Sequence, residues 1–225
     1  MALSGMRFVA VSFLLTLVAS GIGASAAFAE DIPSALGRIT YGDSPAEGAA
    51  ICSGVLVAPD LVLTAGHCVR GAAGNPASIR FDAGWSEGQP AGQRRGTEVI
   101  LSGAAGLAED VALVLLEAPF PPGVAEPLPL VPPSATAFTL PAFRRDAPGQ
   151  PSPPLACHLR AANPGLLGLD CPAVSGNSGA PLLQREGDGW QIVAVMVAAS
   201  GAGPVRSWAA LPPDWVQQRI PARGD

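Results

Sequence analysis

Leu61-Val62-Leu63-Thr64-Ala65-Gly66-His67-Cys68 runs from a short apolar segment into a histidine and a cysteine. Just upstream, Cys52-Ser53-Gly54-Val55-Leu56-Val57 is a second apolar run of strand length, and Ala58-Pro59-Asp60 between them is a turn signal. Two such runs joined by a tight connection predict a β-hairpin, with His67 in a short turn directly after it. The same style continues outward. Ser78–Ala83 and Thr97–Leu101 are weaker strand candidates. Val111–Leu116 is a continuous apolar run, partly β-branched, that predicts a buried strand. The second half offers Ala156–Leu159, Gly168–Cys171, Ala180–Leu183 and Trp190–Val197 as strands. Pro213–Arg219 predicts a short closing helix with Trp215 packed inward. Residues 119–154 are rich in proline, with pairs at 121–122, 132–133 and 153–154. Residues 119–133 are the candidate linker between two halves; the alternative is a single domain with one long surface loop. The halves share a style but no sequence repeat.

The chain has 225 residues, of which 48% are hydrophobic, so it has enough apolar side chain to build a core. Its 27 glycines and 24 prolines suit a turn-rich all-β protein better than a helical one. A net charge of −5 gives no electrostatic footprint for nucleic acid. Residues 1–29 have the layout of a secretory signal: Arg7, an apolar run from Phe8 to Ala19, and the small residues of Ala27-Phe28-Ala29. Phe8–Ala19 is too short for a comfortable membrane span, and no later segment is long and apolar enough for one. The mature chain would begin at Glu30, outside the cytoplasm (secreted or periplasmic) and free of the membrane. Four cysteines agree with an oxidising compartment and allow three pairings.

Three residues carry the candidate chemistry. Ser178 stands in Gly176-Asn177-Ser178-Gly179-Ala180-Pro181, a tight glycine-flanked turn. A serine hydroxyl is a poor nucleophile until a base takes its proton, and the reaction also needs donors for the developing oxyanion. The N–H groups of Gly176 and Ser178 can point into one concavity. Ala180 stands where a Gly-x-Ser-x-Gly elbow would need its last glycine, so this is not that motif. His67 supplies the candidate base. Asp110, in Glu109-Asp110-Val111-Ala112-Leu113-Val114-Leu115-Leu116, supplies a carboxylate to orient it, with Glu109 an adjacent competitor. The second histidine, His158, sits beside Cys157 and reads as a surface or pocket-rim residue.

The order His67, Asp110, Ser178, each in this context, resembles the chymotrypsin/trypsin-like serine proteases. The Leu-Thr-Ala-Gly-His-Cys segment resembles the family's histidine motif, and Asp-Val-Ala-Leu-Val its aspartate motif, which assigns the role to Asp110. The resemblance spans most of residues 39–219. It implies two antiparallel six-stranded β-barrels packed face to face, about 39–118 and 134–212, with a short C-terminal helix at about 213–219. The cleft between them would hold His67 and Asp110 from the first barrel and Ser178 from the second. The short length, Asp170-Cys171 and Asn177 look most like the bacterial secreted, glutamyl-endopeptidase-like branch. Of the three cysteine pairings the favoured one joins Cys52 to Cys68 and Cys157 to Cys171.

Asn177 departs from the pattern. Many such enzymes place an aspartate there, which pairs with a newly freed N-terminal amine. Arg38-Ile39, in Gly37-Arg38-Ile39-Thr40-Tyr41-Gly42, resembles an activation junction, so residues 30–38 are a candidate pro-segment before a protease domain at 39–225. Cleavage there would not switch the enzyme through the usual ion pair. Pro172 and Ala173 are expected at the base of the specificity pocket, and Met196, Ala198 and Ala199 on its wall. None is charged, which points to a small or apolar substrate residue. Residues 197–201 would supply backbone for pairing an extended peptide. No metal or other cofactor is implied, because the histidines lie far apart and the cysteines are expected in disulfides. The reading is a monomer acting on peptide or protein through an acyl-enzyme. The alternatives are a catalytically silent protease-like binding protein and an esterase-like acyl hydrolase on the same machinery.

Overall fold

The computed structural model describes residues 1, 32–41, 51–201 and 203–220. The signal segment with its cleavage site and the expected start at Glu30 lie outside these residues. The described chain is twelve strands in two closed antiparallel barrels, in the neighbour orders β1-β2-β3-β6-β5-β4 and β10-β11-β12-β9-β8-β7. The first is built from β1 Leu36–Tyr41, β2 Ile51–Ala58, β3 Leu61–Ala65, β4 Ile79–Ser86, β5 Gln89–Leu101 and β6 Val111–Leu116. The second is built from β7 Ala137–Arg144, β8 Ala147–Asn163, β9 Leu166–Leu169, β10 Pro181–Glu186, β11 Gly189–Ala199 and β12 Ser207–Ala210. Two short α-helices, α1 Gly66–Val69 after β3 and α2 Asp214–Gln217 at the end, and three 3₁₀ turns at Arg70–Ala72, Pro76–Ser78 and Leu107–Glu109 complete it.

β2 and β3 read as continuous apolar runs because they are covered on both sides. One face fills the first barrel and the other meets the second. One buried cluster accordingly mixes Val55, Leu56, Leu63, Leu113 and Phe81 with Leu183, Ile192, Val195, Val197 and Val216. A separate cluster of Phe138, Leu140, Leu169, Leu182, Val193 and Met196 fills the second barrel. In α2 the fully buried side chain is Val216, whereas Trp215 is only partly covered at the edge of the first cluster.

The strands β1, β7 and β12 escape the sequence signals, being short or mixed in character. β8 starts inside the proline-rich stretch, at Ala147, well ahead of its expected start at Ala156. Proline removes a ladder donor and is tolerated at sheet edges and bulges. Among the described residues, 147–158 pair with β7 alone, across register shifts at Leu140/Ala142 and Ala142/Arg144, and pairing with β9 begins only at Leu159. The free side of β8 is what accommodates Pro148, Pro151, Pro153 and Pro154.

The expected Arg38–Ile39 junction lies inside β1, not in an exposed loop. Arg38 pairs with Ser53 on one side and Asp82 on the other, and Ile39 is 1% exposed. The Arg38 guanidinium is bonded to the Asp82 carboxylate and to the Pro148 carbonyl. A protease must bind its target bond as unpaired, extended chain, so this bond is closed to cleavage in the folded protein.

Both favoured disulfides are present, Cys52–Cys68 and Cys157–Cys171, separated by 16 and 14 residues in sequence. The first ties β2 to the turn that carries His67. A loop of this length contributes about 3 kcal/mol through the entropy of the unfolded chain. The Cys52→Ala/Cys68→Ala double variant is expected to lose about that much in denaturant unfolding. A loss under ~1 kcal/mol would mean the unfolded chain is already constrained there.

Candidate active site

Strand pairing explains how His67 and Asp110, 43 positions apart, meet. β3 and β6 are antiparallel neighbours, with Ala65 opposite Val111. The chain leaves β3 into Gly66-His67 at the end where it enters β6 from Asp110. The Gly66 N–H donates to the Asp110 carbonyl at 2.9 Å and clamps the two segments. The Asp110 carboxylate then grips His67 twice: Oδ1 accepts the His67 backbone N–H at 2.8 Å, and Oδ2 lies 2.5 Å from Nδ1. This fixes Nδ1 as the protonated nitrogen of the neutral ring and leaves Nε2 as the free base. A methyl on Gly66 would approach Asp110 Oδ1 to 2.9 Å, so the glycine leaves room for the carboxylate. Glu109 is not a competitor, because its Oε2 accepts the Ser102 hydroxyl at 2.6 Å.

Partial burial of Asp110 pushes its carboxyl up. The side-chain bond, the charge and the backbone N–H of His67, with the Arg70 guanidinium beyond, outweigh this and hold the carboxyl below its ordinary value. Asp110 is therefore ionised in the folded protein at neutral pH.

Ser178 arrives from the second barrel on the turn before β10. The Ser53 N–H donates to the Ser178 carbonyl at 2.8 Å. Gly179 (φ +78°) sits so close to Thr64 and Ser53 that no Cβ fits there. The serine turn thus rests on β3 two and three residues before His67, which sets Ser178 on the side of the first barrel that carries the histidine.

Within this turn the amides divide into two groups. Asn177 N–H donates to Val174 O at 3.0 Å, Gly179 N–H to Met196 O at 2.7 Å and Ala180 N–H to Asn177 O at 2.9 Å. Among the described residues, the N–H groups of Gly176 and Ser178 are engaged by no protein acceptor. Those are the two expected oxyanion donors. Gly176 (φ +102°) could not carry a side chain, since a Cβ would come within 2.8 Å of the backbone of Phe143, Arg144 and Arg145.

Asn177 is 3% exposed and is bonded through both its amide oxygen and its amide nitrogen, without charge. Its Oδ1 accepts from Val174 N–H at 2.9 Å and its Nδ2 donates to Phe143 O at 3.0 Å. A carboxylate in its place would face the Phe143 carbonyl and repel it. The turn is held in shape by a neutral amide, which is the physical reason the departure at this position is tolerated.

A cleft of about 190 Å³ opens beside Ser178, lined by Ala173, Val174, Ser175 and residues 196–199. Of the expected pocket residues, Ala173, Met196, Ala198 and Ala199 are there. Met196 is 1% exposed, so the accessible wall belongs to Ala198 and Ala199. Pro172 is not part of this cleft. It lines a neighbouring apolar hollow with Leu140, Ala142, Leu155 and Val174. Among the described residues, no charged group lines the Ser178 cleft.

His158 lies outside the site. It repeats the His67 bonding pattern on Asp170, with N–H to Oδ1 at 2.8 Å and Nδ1 to Oδ2 at 3.2 Å, and Arg160 binds the same carboxylate. The His158 N–H, and with it Arg160 and the imidazole, hold the partly buried Asp170 carboxyl down to about 2 against the cost of desolvation. Cys52, His67 and Cys68 are close together, but both sulfurs are in a disulfide and cannot ligate a metal. Ser53, Thr64 and Gly179 are the participants that sequence reasoning missed. The available signal was a serine in an otherwise apolar β2 and a second glycine in the Ser178 turn.

Residues 52–195 match the family model described as the trypsin-like peptidase domain. Among solved structures, the chain is similar to a thermostable serine protease, AL20, from an extremophilic microorganism. The TM-score is 0.63 at 19% identity, over 83% of this chain and 95% of that one. At that identity the likeness speaks for the fold. No curated protein sequence matches the chain. With the family model covering well over half of its length, the chain belongs to the trypsin-like peptidase family.

Proposed function

We propose that this protein is a serine endopeptidase that works through His67, Asp110 and Ser178. The observation that carries this reading is the pairing of a two-point Asp110–His67 grip with two idle amides beside Ser178. Ser178 Oγ attacks the peptide carbonyl while its proton passes to His67 Nε2. The Gly176 and Ser178 amides receive the oxyanion. Collapse of this intermediate breaks the C–N bond, and His67 returns the proton to the leaving amine. Water, deprotonated by the same nitrogen, then releases the acid and restores Ser178. The uncharged cleft supports a small or apolar residue on the acyl side of the cleaved bond. The signal-like residues 1–29 and two disulfides support an exported, secreted or periplasmic enzyme of the bacterial branch.

A fluorophosphonate is expected to label the mature, disulfide-bonded protein once, on Ser178, as read by peptide mass spectrometry. Labelling should vanish in His67→Ala and persist in His158→Ala. A folded wild type that stays unlabelled would refute the mechanism and favour a binding protein on the same fold.

A further inference from the structure

We infer that Ser53 is a positioning residue of the oxyanion site, resting on the reading of Ser178 as nucleophile. Ser53 is fully buried in β2 of the first barrel, yet its polar atoms are all used, and most of their bonds reach the second barrel. Its Oγ donates to Gly176 O at 2.9 Å and accepts Phe143 N–H at 2.9 Å. Its N–H donates to Ser178 O at 2.8 Å, and its carbonyl accepts the Thr64 hydroxyl at 2.8 Å.

These bonds act on the peptide planes of the serine turn. The 176–177 plane is held by Ser53 Oγ on its oxygen and by Val174 O on its N–H. The 178–179 plane is held by Ser53 N–H and Met196 O. The plane between them presents the Ser178 N–H; its own oxygen, Asn177 O, accepts the Ala180 N–H at 2.9 Å, and fixing the planes on either side narrows the rotation left to it. Asn177 completes a ring of neutral bonds: Ser53 to Phe143, Phe143 to Asn177, and the Asn177 turn back to Ser53 through Gly176 O. Every member is uncharged and most are buried, so the ring needs neither a freed N-terminal amine nor a particular pH to hold the donors in place. Without the hydroxyl, Phe143 N–H and Gly176 O become a buried, unpaired donor and acceptor, and rotation of the turn toward other partners becomes favourable. Preorganisation of the donors is what would be lost.

The test uses Ser53→Thr and Ser53→Val, which have nearly the same shape and differ in the hydroxyl, together with Ser53→Ala. The second-order rate of Ser178 labelling by a fluorophosphonate is measured on folded protein with both disulfides verified by mass. Thr should stay within a few-fold of wild type, while Val and Ala should be about 10- to 100-fold slower, short of the ~10²–10³ for deleting a donor outright. On an activated ester the same loss should fall on kcat with KM unchanged, because the 190 Å³ cleft is not touched. A role in folding alone would shift the unfolding midpoint and leave the rate per folded site at its wild-type value. Equal rates for Thr and Val overturn the inference, and the pair decides it even if Ala does not fold. A wild type that never labels refutes the nucleophile instead, which keeps the two failures apart.

Discussion

Asp110→Asn lowers kcat by on the order of 10⁴, with KM near its wild-type value, the size of effect seen when a triad carboxylate is replaced by its amide. The cause is the tautomer. The amide that replaces the carboxylate keeps its oxygen on the His67 backbone N–H, where Asp110 Oδ1 sits now. The amide nitrogen then faces His67 Nδ1, which must become an acceptor, so the ring proton moves to Nε2 and the nitrogen proposed as the base for Ser178 loses its free lone pair. The substitution also removes the anion that would stabilise the imidazolium. A loss under about tenfold would remove Asp110 from the mechanism.

The same variant carries a pH signature in stability. The folded Asp110 carboxyl lies below its ordinary value of 3.8, with His67 and Arg70 overcoming the burial that pushes it up. The unfolded chain therefore binds the proton more readily. The stabilisation is fully present above the unfolded value and fades as pH falls through the folded one. Urea unfolding should show wild type and Asp110→Asn furthest apart near neutrality and converging in acid below that value. A gap that widens in acid would reverse the sign and contradict the assignment.

Among the described glycines, Gly179→Ala is expected to be the most damaging single methyl. The residue has φ +78°, where an L side chain costs about 1–2 kcal/mol. Its Cβ would also overlap Thr64 Oγ1 and Ser53 O, and Ser53 O is backbone. Overpacking of this kind adds about 1–3 kcal/mol, and the contact is relieved by parting the serine turn from β2 and β3. Activity should fall with stability, since that movement carries Ser178 away from His67. Gly71→Ala is the control: nothing lies within 4 Å of its Cβ position, and it should be neutral in both assays. A Gly179→Ala enzyme with wild-type activity and unfolding midpoint would show that the barrels do not meet here as described.

How much is legible in the chain depends on the range of each interaction. The hairpin β2–β3 and the strand β6 are legible because local apolar runs set them. β8 is not, because its proline content argues for loop until one knows that half of it has a free side. In sequence, Asp110 is told from Glu109 only by resemblance, whereas in space Glu109 is bonded to Ser102 and Asp110 to His67. Arg38–Ile39 resembles a junction as a string of residues and lies inside a paired strand. Its offset from Ser178 assigns Pro172 to the pocket, but the chain between them bends it into the next hollow.

The all-β class and the candidate residues His67 and Ser178 are readable from the letters of the chain, with Asp110 picked out by its motif's resemblance. Each rests on short-range pattern or on a motif that survives being read one residue at a time. Three-dimensional closure was needed to learn that Asn177 holds its turn without charge and that Gly176 and Ser178 keep idle amides. It was needed too for Ser53, which lies far before the nucleophile in sequence and is bonded to the turn on both sides of it. Those are relations that run through backbone groups, which every residue possesses. Nothing in the letters distinguishes such groups until closing two barrels against each other brings them into bonding distance.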